Sequence, residues 1–147
     1  MPLSHIEVTI EINRPINEVI DFVDDCNNDP LWQISVLESR QVSEGPIGVG
    51  TVFHAKEKFL GRVIEQDWTV KERKEDGSYW AATAAGAIPM ETSMKFESAG
   101  SATRITRVLN VDPGRFFKFA SPVVAHIAQR ELETDFANLK ELLEAES

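Results

Sequence analysis

Residues 121–145 read SPVVAHIAQRELETDFANLKELLEA. Ala125, Leu132, Phe136, Leu139 and Leu143 form one stripe along it, with Ala128 and Leu142 beside them, the repeat of an amphipathic helix. Ser121 before Pro122 suits an N-cap followed by proline at the first helical position. Upstream of this stretch the period changes to two, and a long helix closing a series of strands is the pattern that decides the fold.

Working back from the helix, Asp112-Pro113-Gly114 ends the strand series, and Arg115 to Ala120 reads as an earlier helical turn bent away at Pro122. Strands are expected over Ala102–Val111, Met90–Glu97, Tyr79–Ala85, Arg62–Arg73, Thr51–Leu60 and Ser35–Val42. The turns between them carry Ala99-Gly100-Ser101, Gly86 to Pro89, Glu75-Asp76-Gly77-Ser78, Gly61, and Gly45 to Gly50. At the start of the chain, Ile6, Val8, Ile10 and Ile12 alternate with Glu7, Thr9 and Glu11, a half-buried strand over His5–Asn13. Pro15 fits the first turn of a helix with Asn13 or Arg14 near its cap, ending near Cys26-Asn27-Asn28. Asp29-Pro30 opens a second short helix that ends at Trp32. Strands on short loops pair antiparallel. The expected class is α+β: a curled antiparallel sheet of about seven strands, two short helices after the first strand, and the long C-terminal helix across the concave side.

The 147 residues suit one domain spanning 1–147, and 42% apolar with 27% charged residues argues against disorder. Fifteen basic against 24 acidic residues give a net charge of −9, so a nucleic-acid partner is not expected. The single cysteine cannot form an intramolecular disulfide. No apolar run approaches the ~20 residues of a membrane span, and MPLSHIEVTI lacks the order of a secretion signal. The expectation is a cytoplasmic protein, a monomer or weak homodimer.

Five motifs occur in a recognisable order: IEINRPINEVIDFVDD (10–25), DPLW (29–32), GPIGVGTVFHAK (45–56), SATRITRVLNVDP (101–113) and FANLKELLE (136–144). Across residues 4–145 the chain resembles the START-like, helix-grip (SRPBCC) superfamily, nearest its polyketide cyclase/dehydrase and lipid transport branch. Ser101-Ala102 stands where the family commonly has a glycine before threonine. The resemblance implies a helix-grip fold with ligands bound where the sheet and long helix fail to close. It carries over no catalytic residue, because the superfamily has no universal one.

The residues expected to line such a cavity follow from strand and helix facing. Phe53, Ala55 and Glu57 share one strand face, as do Met90, Met94 and Phe96 with Thr92, and Ile105 with Arg107. Val124, Ile127 and Glu131 share one side of the helix start, where Val123 widens the apolar arc. Trp32 either touches ligand or staples the short helix to the sheet. For the apolar positions the alternative is plain core packing. If inward, Arg107 needs an acidic partner or a ligand anion, with Glu57 and Glu131 as partners. Otherwise it is a solvated or structural charge. Tyr79 and Trp80 are neighbours, so only one faces inward, and core packing is the default for Trp68 and Trp80.

His5, His54, His126 and Cys26 show no metal-ligand spacing, so neither a metal nor a cofactor is expected. The functional expectation is binding, and potentially transport, of a hydrophobic or amphipathic small molecule. The alternative is a polyketide cyclase/dehydratase-type enzyme in the same cavity, drawing an acid or base from Glu57, Arg107, Glu131 or Tyr79. A third class is a protein-interaction domain using the sheet edge or the long helix.

Overall fold

The computed structural model describes residues 4–59, 61–83, 88–112 and 121–145. Strand β1 (Ser4–Ile12) leads into helix α1 (Ile16–Asp24), a single 3-10 turn (Cys26–Asn28) and the short helix α2 (Asp29–Trp32). Six strands follow: β2 (Val36–Gln41), β3 (Val52–Phe59), β4 (Arg62–Arg73), β5 (Tyr79–Thr83), β6 (Met90–Ala99) and β7 (Ala102–Val111). Helix α3 spans Ser121–Ala145. The strands form one curled antiparallel sheet in the order β1-β7-β6-β5-β4-β3-β2, so the first strand closes against the last.

The period-two reading of β1 sets its register. Ile6, Val8 and Ile12 are buried while Glu7, Thr9 and Glu11 are exposed, and Ile10 pairs with Ile105 on β7. The α3 stripe packs onto these residues. Leu132, Phe136, Leu139 and Leu143 share one core with Ile6, Val8, Ile12, Met94, Phe96 and Ile105. The buried Thr103 hydroxyl donates to the Arg14 carbonyl at 2.8 Å and pins the β1–α1 corner to β7.

The short helices are held from both sides. Arg73 at the end of β4 makes a two-armed ion pair with Asp24 at the end of α1, at 3.0 and 2.6 Å. Gly77 in the β4–β5 turn has φ +91°, and a Cβ there would lie 2.7 Å from Ile20 Cδ1 on α1, so the position needs glycine for conformation and for space. On the other side, Asp135 of α3 accepts the Ile34 amide at 2.8 Å and Asn138 donates to the Trp32 carbonyl at 3.3 Å.

Several expectations change. Pro15 occupies the N-cap position itself, with no side-chain cap. Trp80 is 39% exposed and Ala81 is buried, so the Tyr79 side of β5 faces inward and Trp80 is not a core residue. Val123 is 46% exposed, so the apolar arc at the start of α3 is narrower than its composition suggests. The helical turn expected over Arg115 to Ala120, and Ala84 to Ala87 around the β5–β6 turn, lie outside the described residues. No helix among the described residues is long and apolar enough to cross a membrane.

Candidate functional site

The concave face of the sheet is packed by α3 along one part and left unfilled along another. Two chambers occupy the unfilled part. The larger lies under α1 and α2 against β2–β7 and leaves about 110 Å³ within which the centre of a water molecule can move. The smaller lies between the sheet and the middle of α3, with about 50 Å³. A single water needs roughly 10–15 Å³ by this measure, so both have room for several.

The larger chamber is walled by Trp32 from α2, Phe53 and Ala55 from β3, Trp68 and Val70 from β4, and Tyr79 and Ala81 from β5. Trp32 also stacks on Phe136, ring centres 6.3 Å apart, so it staples α2 to α3 and lines the chamber at once. Its indole N–H is sealed from water without an acceptor, and the Gln66 side-chain oxygen without a donor. Such groups cost roughly 1–3 kcal/mol each.

Arg107 faces inward on β7, directly across from Met94 on β6, and lines both chambers. Its Nε donates to Thr92 Oγ1 at 3.3 Å and its Nη1 to Gln33 Oε1 at 3.1 Å. Neither Glu57 nor Glu131 forms the expected ion pair with it, and the half-buried guanidinium makes no salt bridge among the described residues. Three carboxyl groups, Asp29, Glu57 and Asp135, feel its charge, and Glu131 lines the smaller chamber with it. Burial pushes Asp29 up to about 7, against a hydrogen bond from Ser39 and the charge of Arg107. Burial raises Glu131 to about 7, helped by the charges of Asp135 and Glu57. Asp135 rises to about 6 by burial, opposed by the Ile34 amide and by Arg107. Glu57 is raised by burial, opposed by hydrogen bonds from Gln66 and Trp68 and by Arg107. Its bond from Gln66 measures 3.1 Å. The Tyr79 hydroxyl is pushed up by burial to about 12, which makes it a poor acid or base near neutrality.

Of the residues expected from the sequence, Trp32, Phe53, Ala55, Glu57, Arg107 and Tyr79 line the larger chamber. Met90 and Glu131, with Glu57 and Arg107 again, line the smaller. Met94, Phe96 and Ile105 line neither, because the α3 side chains cover them in the core. Val124 is buried with Ile64, Ile88 and Val111. Ile127 is half-buried and lines neither chamber. The sequence reading missed Asp29, Gln33, Gln66 and Asp135. Asp135 had a signal, since it sits three residues after Leu132 and four before Leu139, on the stripe itself. Gln66 had one too, lying between Ile64 and Trp68 at strand spacing. Asp29 and Gln33 had none, because only tertiary folding brings α2 to β7. On the outer face, His54 meets Asp67 at 2.7 Å and Glu65 at 3.2 Å. No three His, Cys, Asp or Glu side chains among the described residues form a metal-holding group.

A model of the family described as polyketide cyclase / dehydrase and lipid transport matches residues 4–144. The chain belongs to that family. A START superfamily protein from Mycobacterium smegmatis superposes with a TM-score of 0.83 at 16% identity, covering 97% of this chain and 99% of the other. A protein from Thermus thermophilus gives 0.80 at 18% identity, covering 97% and 99%. The di-domain ARO/CYC protein BexL gives 0.71 at 14% identity, covering 95% of this chain and 46% of that one. No curated protein matches the sequence. At these identities the solved structures show a shared helix-grip fold, and fold alone does not assign an activity. Family and fold point to ligand binding or a polyketide-cyclase-type function.

Proposed function

We propose that the domain binds a hydrophobic or amphipathic small molecule in the two chambers, the larger under α1 and α2 and the smaller against α3. The observation that supports this reading is unfilled space with largely apolar walls: protein interiors are normally packed to crystal-like density, yet Trp32, Phe53, Ala55, Trp68 and Ala81 surround a void. An apolar ligand gains about 25 cal/mol for each Å² it removes from water there, and the polar groups at one wall orient it. Native mass spectrometry of protein purified from its own host tests the reading. The expected result is a non-covalent adduct on the wild type that Ala55→Trp and Ala81→Trp both lose. A bare chain that also fails to take up added Nile red would overturn it.

A second reading, turnover of a polyketide-type carbonyl substrate, is favoured by one observation. Asp29 lines the larger chamber with its carboxyl raised to about 7, the range in which one group both accepts and releases a proton. Steady turnover of a poly-β-ketone by the wild type and its loss in Asp29→Asn would support it. Binding without turnover would leave the domain a carrier.

A further inference from the structure

The two chambers share Gln33, Glu57, Trp68 and Arg107. The shared residues stand at the junction, and three of them are polar. The apolar part of the wall is Phe53, Ala55 and Val70 on one side and Ile64, Leu109 and Leu132 on the other, with Asp29 also in the larger chamber and Glu131 and Asp135 in the smaller. Arg107 therefore sits between two partly apolar spaces rather than at the end of one. A guanidinium has five N–H donors and no acceptor. Arg107 directs Nε to Thr92 and Nη1 to Gln33, while Nη2 has no acceptor among the described residues and is not sealed from water. Two or more N–H donors are thus left without an acceptor among the described residues, on a residue that lines both chambers.

The surrounding charge selects what meets them. The guanidinium charge already acts on Asp29, Glu57 and Asp135, and Glu131 lines the smaller chamber beside them. A ligand carboxylate would enter a group of four acids, and a ligand amine would face the guanidinium. An uncharged oxygen satisfies the donors and adds no charge.

We propose that Arg107 captures an uncharged carbonyl oxygen at mid-length of an elongated apolar ligand, whose two arms occupy the two chambers. This rests on the binding reading above and narrows it. The test compares four probes of equal carbon count as competitors of Nile red: dipentyl ketone, methyl nonyl ketone, undecane and undecanoate. Dipentyl ketone is expected to bind about tenfold or more tightly than the other three, the worth of one hydrogen bond from a charged donor. In Arg107→Met the two ketones and undecane converge in affinity. Arg107→Lys, which keeps the charge but loses the planar fork, is expected to lose most of the preference as well. Equal or tighter binding of methyl nonyl ketone or undecanoate to the wild type would overturn the inference while leaving the binding reading intact. Failure of Nile red and all four probes to bind would overturn both.

Discussion

The same sheet is closed in two different ways. Along β1 and the start of β7, Ile6, Ile12 and Ile105 meet Leu132, Phe136 and Leu139 of α3, and hydrocarbon fills the space. Under α1 and α2, the inward residues include Thr92, Arg107 and Glu57, and void remains. The first region resembles any well-packed interior. The second leaves a tryptophan N–H and a glutamine oxygen without partners and raises the proton affinity of four carboxyls. Sequence optimised for stability alone would not place those groups there. The difference separates the part of the chain that holds the fold from the part available to a ligand.

Substitutions sharpen that contrast. Phe136→Ala, in the packed region, is expected to cost about 3–5 kcal/mol by urea denaturation, since Phe136 is 1% exposed and belongs to the main core. Ala81→Leu, in the void, is expected to change stability by less than about 1 kcal/mol, although adding methylenes to a packed core normally costs about 1–3. An Ala81→Leu cost as large as that range would show the space to be filled, and the contrast would fail.

The next effect is smaller and depends on pH. The Asp29 carboxyl binds its proton more tightly in the folded chain, with its ordinary value of 3.8 raised to about 7. The stabilisation from that proton is full below about 4 and lost as pH rises to about 7. Asp29→Asn is therefore expected to flatten the fall in stability across that window, measured by denaturation at several pH values. An unchanged slope would mean that the carboxyl is solvated.

Long regular stretches were legible in the sequence. Strands β4 and β7 and helix α3 run over the expected residues because their periods persist for ten residues or more. The orientation of β5 was not legible, because adjacent aromatics and a run of alanines give no alternation to read. Facing left Arg107 open between an inward and a solvated or structural charge, and the β7 register turns it inward. Facing could not say that Gln33 and Thr92, rather than Glu57 or Glu131, would hold it. Met94 and Phe96 face the same side as Thr92, yet only tertiary packing decides which of that row meets α3 and which meets open space.

The smallest expected effect lies on the outer face. Hydrogen bonds that the His54 ring donates to Asp67 and then Glu65 hold its proton affinity above its ordinary value of 6.5. The gain is full below that value and is lost as pH rises through the folded one. With His54 on a solvent-facing sheet surface, His54→Gln is expected to lower stability slightly at pH 6 and not at pH 9. Equal losses at both pH values would assign His54 a packing role instead.

Methyl-resolved NMR during titration with dipentyl ketone tests the contrast between the two regions most directly. The account expects saturable shifts at Val36, Ala55, Val70 and Ala81, with Ile6, Ile12, Leu139 and Leu143 unmoved. Shifts confined to the second group, or none at saturating ligand, would contradict it.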